Sequence, residues 1–496
     1  MNAVLSRLLT AGSGMAALAL VMATEPARAQ GPGGAQQPPS TVGMVKKGKA
    51  PVSNEVLKVT LPKPQTAQLS NGLHLMVLED HRLPRITFQI MIPGAGGYYD
   101  PKDRVGLASY TAQMMREGTK TRTSLQMAQD IDTMAAGLTV SSGVSSPTAS
   151  VSGSALTENF DRLFGMAADV LLNPTFPQDE WTRLQTRAKA SLKQQRAQPG
   201  FLGGEMMNRV IYGDHPAARI SATPQSIDAI TRDAMIEFHR THYVPDHAAI
   251  AFAGDITLAQ ARKMVEDTLA GWTKAGTPKP SVTDPALPGP ARVYLVARPN
   301  SVQTTLMVSA PSMSRLDPDY EELTVANRVL GGTMGRLFRH LREEKGYTYG
   351  VGSGFNATNH RGDWTASTSV RTEVTQDALR DLLADVALMR DKPVPADELA
   401  DHKRAIVASF ALSLESPQSV LGYYTQAWLY GMPADYWETY PARIAAVTAE
   451  QAQGAAKKYW DPARLQIVAV GEPKIAEILK TMGPLEIYDT EGKKIQ

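Results

Sequence analysis

The densest group of side chains that could bind a metal lies in HRTHYVPDH, residues 239–247. Imidazole and carboxylate groups are zinc ligands, and here they belong to His239, His242, Asp246 and His247. The first two histidines are three residues apart on a predicted helix, but Val244-Pro245 ends that helix, because the residue before a proline disfavours helical backbone. The third histidine then begins the next strand, away from the others. We expect this corner to be structural.

A second candidate is the short helix predicted over GLASYTAQMMREGT, residues 106–119. Ser109 and Gln113 are one turn apart, a spacing at which helices often carry paired metal ligands. A neutral hydroxyl and an amide are poor zinc ligands, and the methyl group of Ala112 between them cannot accept a proton. These residues therefore predict neither metal binding nor acid–base chemistry.

A glycine-rich segment, PGFLGGEMM at residues 199–207, is the remaining pattern that could bind a ligand. A phosphate loop needs a strand before it and a Lys-Ser or Lys-Thr pair after the glycines, and neither is present. We expect a flexible surface turn here, in a position to touch substrate.

Length and composition indicate a globular protein of two large domains. The 496 residues exceed the about 250–300 that one core usually holds. A net charge of +2 gives no electrostatic basis for binding nucleic acid. The absence of cysteine from the sequence excludes disulfides, thiolate metal sites and lipid attachment through a thiol, so any zinc ligands would be histidine and carboxylate.

The N-terminus has the pattern of a secretory signal. Arg7 supplies a positive charge, residues 15–23 form a short apolar run, and Ala27-Arg28-Ala29 is a small-x-small cleavage site. We therefore expect a signal peptide at 1–29, a flexible lead-in at 30–60 and export, to the periplasm. No other stretch approaches the about 20 apolar residues of a membrane span, so we expect no membrane insertion after the signal is removed.

The elements that must position any site are duplicated along the chain. Short motifs recur in the same order at nearly one offset. Three pairs share one offset and the fourth pair is one position further apart, namely Asp100 and Asp317, Pro245 and Pro462, Gly254 and Gly471, and, as the fourth, Pro177 and Pro395. The copy of the histidine-rich corner, KKYWDP, has no histidine, which also favours a structural role for that corner.

The sequence of each copy predicts the same order of secondary-structure elements. Two strands are followed by a helix, a Gly/Ser/Thr-rich strand region, long helices, and a final helix and strand. This order predicts an α+β fold of two homologous halves, each a largely antiparallel sheet with helices packed on one face. The predicted bounds are 61–272 for the N-terminal domain, 273–290 for a linker, 291–485 for the C-terminal domain and 486–496 for a tail.

Several motifs together carry a resemblance to a known family. The first half has NGL (71–73), DP (100–101), GLA (106–108) and EGT (117–119), and the second half has GGTMGRLFRHLREEKGYTYGV, residues 331–351. In this order they resemble the pitrilysin/insulinase zinc peptidases, the inverzincins, over roughly residues 60–485. The resemblance implies the fold of pitrilysin and mitochondrial processing peptidase.

The resemblance also implies that the catalytic zinc site is vacant. The family's H-x-x-E-H motif falls on Ser109, Ala112 and Gln113, where neither ligand nor base remains. The third ligand, a glutamate, falls at about Ala190 or Ser191, and the sequence has no Asp or Glu from 181 to 204. We therefore expect no catalytic residue, no metal and no cofactor in this chain.

In the second half the resemblance identifies Arg342 and Tyr349 as the family's substrate-binding pair. From the residues alone, Arg342 could instead complement a helix C-terminus, and Tyr349 could be an ordinary strand aromatic. The resemblance implies a non-catalytic subunit, inactive alone, that binds extended peptides and donates the pair to a similar-sized, zinc-bearing H-x-x-E-H partner. A stand-alone peptide-binding or assembly protein is the alternative, and a peptidase with a relocated metal is a third possibility.

Overall fold

The computed structural model describes residues 59–496. The predicted signal peptide at 1–29 and nearly all of the lead-in at 30–60 lie outside the described residues, so both stay predictions from sequence. Within 59–496, no helix has the length and apolar character needed to cross a bilayer.

Six strands of the first half form one mixed sheet. They are β1 (Gln65–Gln68), β2 (His74–Glu79), β3 (Arg85–Pro93), β4 (Gly137–Ser142), β5 (Thr148–Leu156) and β6 (Ala249–Gly254). Their order is β1-β2-β6-β3-β5-β4, and only β2 and β6 are parallel neighbours. Alternation along β3 sends Phe88 and Ile90 into the main core of this half, while Met91 packs on the opposite face of the sheet.

The described part of the first half has eight α-helices. They are α1 (Leu107–Met114), α2 (Ser124–Thr133), α3 (Thr157–Leu172), α4 (Gln178–Arg196), α5 (Pro199–Tyr212), α6 (Pro224–Ala229), α7 (Arg232–His242) and α8 (Leu258–Thr268). The apolar faces of α1, α3 and α7 share one core with the sheet. Capping boxes start α2 and α8, in each of which a threonine and a glutamine exchange hydrogen bonds with the backbone of the first turn.

The second half repeats this plan. Its sheet has the order β12-β7-β11-β8-β10-β9 and consists of β7 (Arg292–Ala297), β8 (Gln303–Pro311), β9 (Thr348–Phe355), β10 (Asp363–Arg371), β11 (Gln466–Gly471) and β12 (Leu485–Tyr488). Its helices are α9 (Tyr320–Gly331), α10 (Thr375–Asp391), α11 (Ala396–Ser413), α12 (Pro417–Tyr430), α13 (Tyr436–Ala446), α14 (Ala449–Tyr459), α15 (Ala476–Lys480) and a π-helix, Phe338–Glu344.

The predicted fold class, α+β with two homologous halves, is confirmed. The first residues of β6 and β11 are as far apart in the sequence as Pro245 and Pro462. The first residues of α5 and α12 are as far apart as Pro177 and Pro395. Both sheets are mixed, because β7 runs parallel to both β11 and β12 as β2 does to β6. Helices also cover more than one face, since each half lends a helix to the sheet of the other.

The prediction of a flexible surface turn over residues 199–207 is wrong, because these residues form the first part of α5. This helix packs on β8 and β11 of the second half, where a Cβ added at Gly203 would lie 3.2 Å from Met307 and 3.3 Å from Val470. The glycine therefore permits close approach of a buried helix to a sheet. Helix α12 packs in the same way on the first sheet, through Val420 and Leu421.

The predicted tail at 486–496 is also corrected. Residues 485–488 form β12, which pairs with β7 in parallel and completes the edge of the second sheet. Tyr488 is buried against the helix α5 that the first half contributes. The predicted linker, 273–290, contains neither helix nor strand.

Candidate functional site

The helix that would carry the family's zinc motif is held at its start by Asp100. Helix α1 begins after Gly106, whose φ of 101° is left-handed. The backbone N–H groups of Gly106 and Ala108 donate to the two carboxylate oxygens of Asp100 at 2.7 and 2.8 Å. This pairing satisfies amides that the first turn of a helix leaves free. Burial raises the pKa of Asp100 to about 6, against the effect of these donors.

Replacing this aspartate tests its role in stability. Asp100→Ala is expected to lower the free energy of unfolding by about 2–4 kcal/mol, because two buried N–H groups lose their acceptors. The pKa of Asp100 is about 6 in the folded chain, against about 4 in the unfolded chain. The folded state therefore binds more protons between those values, and the contribution of this carboxyl to stability is full below about pH 4 and falls as pH rises towards 6.

Urea denaturation at pH 4 and pH 7 measures this contribution. The difference in unfolding free energy between wild type and Asp100→Ala should be larger at pH 4. Asp103→Ala is the control, since the Asp103 side chain is 71% exposed and should change stability little at either pH. If wild type and Asp100→Ala differ in unfolding free energy by the same amount at both pH values, the pKa of Asp100 is not raised in the folded chain.

The three positions of the predicted vacant motif serve packing and backbone bonding. The Ser109 hydroxyl donates to the Ser142 carbonyl at 2.6 Å. The Gln113 amide donates to the Ser109 carbonyl at 3.3 Å, and Ala112 is fully buried in the core. None of the three side chains is arranged as a metal ligand or a base.

Gln113 and Ser191 both line a cavity of about 440 Å³ between α1 and α4. Of the two predicted positions for the third ligand, both of which are exposed on α4, Ser191 lines this cavity and Ala190 does not. No described residue that lines it carries a carboxylate or an imidazole, and its charged member is Arg187. Within residues 59–496, no group of three or more His, Cys, Asp or Glu side chains could hold a metal ion. The residues present do not fit zinc, which needs imidazole or carboxylate ligands here.

The histidine-rich corner is structural, as its sequence predicts. Ring N–H groups of His239, His242 and His247 donate to three separate backbone carbonyls, each at 2.8 Å. The Asp246 carboxylate accepts from the backbone of Ala275 and Thr277. Burial lowers the pKa of both His239 and His242, which favours neutral rings.

The structure brings Arg342 and Tyr349 together at the surface. The Arg342 guanidinium carbon lies 4.8 Å from the centre of the Tyr349 ring, and Tyr349 is 89% exposed. The predicted buried face of the preceding helix is present, since Leu341 is fully buried, and Gly346 has the expected left-handed φ of 61°. The two side chains therefore lie together at the surface, open to a ligand.

The helix that carries Arg342 differs from the ordinary helix that its spacing predicts. It is a π-helix, in which the Lys345 N–H donates to the carbonyl of His340, five residues earlier, at 3.0 Å. The wider turn inserts an extra residue before Gly346, and π-helical turns are frequent at functional sites.

Neighbouring charged groups, which the sequence analysis did not single out, hold this π-helix. His340 Nδ1 lies 3.0 Å from the buried Asp385 carboxylate on α10, whose pKa burial raises. Arg336 and Arg339 both donate to Glu398 on α11 at 2.7 Å. A signal for the first contact exists in the sequence: Asp381 and Asp385 are one turn apart on a helix that is otherwise apolar on that side.

Two protein-family models together match most of the described residues. The family model "Insulinase (Peptidase family M16)" matches residues 76–225, and "Peptidase M16 inactive domain" matches residues 229–406. An "uncharacterized zinc protease YmxG" of Bacillus subtilis is 22% identical over 351 residues, which cover 70% of this chain and 84% of that protein. A "non-peptidase homolog YmxG" of Helicobacter pylori is 22% identical and covers 80% and 91%.

A solved structure agrees. A crystal structure of a peptidase M16 inactive domain from Pseudomonas fluorescens has a TM-score of 0.76 and 27% identity, and it covers 82% of this chain and 98% of the other. The two family models match successive parts of the chain, one mainly in each half. The resemblance drawn from the sequence is confirmed, and the chain belongs to the insulinase family of M16 peptidases.

Proposed function

We propose that this chain is an exported, non-catalytic subunit of a heteromeric zinc peptidase. It would pair with a similar-sized M16 chain that has an intact H-x-x-E-H motif, and would place Arg342 and Tyr349 at that partner's active site. One observation carries the proposal: none of the zinc positions of the first half has a side chain that suits zinc, whereas the Arg342–Tyr349 pair is exposed and juxtaposed. The names of two similar proteins, "non-peptidase homolog" and "inactive domain", support the non-catalytic role.

The chemistry of the pair suits a peptide backbone. A guanidinium presents several N–H donors in one plane, and a phenol donates one more, so together they can bind the carbonyl oxygens around a scissile bond. The Tyr349 ring lies against the guanidinium, a contact worth about 0.5–1 kcal/mol at an exposed site, and so restricts where the donors point. Zinc and the general base would both belong to the partner.

The position of Tyr349 on β9 suits an extended substrate. Strand β9 is an edge strand of the second sheet, and Tyr349 and Gly350 near its start are exposed, so a peptide strand could pair with that part of the edge. A peptide paired with β9 would run past the Arg342–Tyr349 pair. The same strand favours the second candidate function, a stand-alone protein that binds peptides by strand addition without hydrolysis. Peptide affinity in the absence of any partner would distinguish that function.

Reconstitution tests the paired function. The chain is co-expressed with an M16 chain that has H-x-x-E-H, the periplasmic fraction is purified through a tag on one subunit, and peptide hydrolysis is assayed. We expect a stable complex, no hydrolysis by this chain alone, and a kcat/KM for the partner alone at least about 100-fold below that of the complex. Turnover by this chain in isolation, or failure of the two chains to associate, would contradict the proposal.

A further inference from the structure

A second cavity, of about 450 Å³, lies between α9 and α11 in the second half. It occupies the position in the second half that corresponds to the cavity between α1 and α4, because Ser409 and Tyr440 line it. Ser409 and Tyr440 follow Ser191 and Ala222 in the sequence by the same number of residues that separates the start of α5 from the start of α12. They are therefore the copies, in the second half, of two residues that line the first cavity. The small alanine of one copy is thus a tyrosine in the other. The two cavities share a place in the fold and differ in chemistry.

Aromatic rings form the walls of this second cavity, from Phe355, Phe410, Tyr423, Trp437 and Tyr440. The polar atoms of two of these side chains are already bonded elsewhere. The Trp437 indole N–H donates to the Tyr423 carbonyl at 2.8 Å, and the Tyr423 hydroxyl bonds Ser413 at 2.6 Å. The Tyr423 and Trp437 ring centres are 4.4 Å apart, so each ring holds the other in place. The cavity therefore offers fixed, largely apolar ring surface.

The polar groups of the cavity include one cation. The Asn327 amide is fixed, since its oxygen accepts from Ser353 at 2.7 Å and from the Trp364 indole at 2.8 Å. Arg328 also lines the cavity, and its Nε atom is buried without a hydrogen-bond partner. Among residues 59–496 the Arg328 guanidinium forms no ion pair, and none of the described residues that line the cavity is acidic. A ligand that is both apolar and anionic would complement this environment.

We propose that this cavity binds an aromatic or large aliphatic carboxylate, the chemical class of a peptide's C-terminal residue. The side chain would lie among the rings and the carboxylate on Arg328, because guanidinium and carboxylate pair through charge-assisted hydrogen bonds. The volume lies within the range of about 300–1,000 Å³ typical of ligand pockets. This site needs neither a partner subunit nor Arg342, so it does not rest on the proposed pairing.

Isothermal titration of the mature full-length chain with N-acetyl-Ala-Ala-Phe tests the proposal. The peptide with a free C-terminal carboxylate should bind at least about tenfold more tightly than its C-terminal amide, since only the carboxylate can pair with Arg328. N-acetylphenylalanine identifies the source of the ligand: weaker binding than the tripeptide supports a peptide C-terminus, and equal binding supports a small aromatic acid. Equal affinity for the acid and the amide would overturn the site.

The duplication supplies a matched control. Ser409→Trp should fill the cavity and abolish binding, whereas Ser191→Trp, at the equivalent position of the first cavity, should leave binding unchanged. If Ser409→Trp does not fold, Arg328→Met tests the site instead. It should reduce the affinity for the peptide with a free C-terminal carboxylate to the affinity for its C-terminal amide. A retained preference for the acid in Arg328→Met would overturn the proposal. Arg380→Ala, which removes an exposed arginine of α10 that lines neither this cavity nor the Arg342–Tyr349 pair, should leave this binding unchanged.

Discussion

Arg342→Ala is expected to lower kcat/KM of the reconstituted peptidase pair by about 100-fold or more. Donors aimed at the oxygen on which charge develops act mainly on the transition state, so most of the loss should appear in kcat. The stability of the chain should hardly change, because Arg342 lies at the surface beside Tyr349 and its contact with Glu343, at 3.7 Å, is an exposed one. Steady-state peptide hydrolysis and thermal unfolding of the same samples measure both effects.

A matched control is available in the same half of the chain. Arg380 is an exposed arginine on α10 whose ion pairs involve Asp377 and Asp381, so Arg380→Ala removes a surface cation without touching the pair. Its activity should stay within about twofold of wild type, as is usual for surface changes outside a site. Wild-type activity in Arg342→Ala would remove the donor role from the proposed function.

Two substitutions of Tyr349 separate the contribution of its hydroxyl to activity from that of its ring. Tyr349→Phe keeps the ring against the Arg342 guanidinium and removes the donor, whereas Tyr349→Ala removes both. If the ring also positions the guanidinium, the alanine variant should lose more activity than the phenylalanine variant, and the loss in Tyr349→Ala and Arg342→Ala combined should be less than additive. A loss of activity in the double variant that equals the sum of the two single losses, expressed as free energies, would mean that the two side chains bind substrate independently.

The fold was largely predictable because the same pattern of strands and helices occurs twice in the sequence, so each half supports the prediction for the other. A strand such as β6 is buried along its whole length, and its copy β11 in the second half shows the same pattern. Helix α5 was not predictable in this way, since its glycines predict a turn until their partner is known. That partner is the sheet of the other half, and such long-range packing overrides local propensity. The short strand β12 was missed for a similar reason, because it depends on pairing with β7.

The candidate site was predictable where residues close in sequence form it. Arg342 and Tyr349 belong to one short segment, and the turn at Gly346 brings them together as expected. The π-helical turn was not predictable, since it depends on anchoring contacts such as that of His340 with Asp385 on another helix. The aromatic cavity is likewise assembled from distant segments, so no short motif marks it.

A larger change would test whether the first cavity is the former metal site. Ser109→His, Gln113→His and Ser191→Glu together would place two imidazoles one turn apart on α1 and a carboxylate on α4, with residues 113 and 191 lining the cavity. We expect the triple variant to bind about one zinc per chain, measured by elemental analysis after dialysis. At a free zinc concentration of about 1,000 Kd the bound metal should stabilise the fold by about 4 kcal/mol, which thermal unfolding would show.

The cation in this cavity gives the prediction a second test. Arg187 lines the cavity and would repel a divalent ion, so adding Arg187→Gln to the triple variant should strengthen zinc binding further. The double variant without Ser191→Glu has only two of the three ligands and should bind more weakly. Ala112 is unchanged in all of these variants, so zinc should return without peptide hydrolysis, because no general base is present. A triple variant that folds but binds no zinc would show that α1 and α4 no longer have the geometry of a metal site.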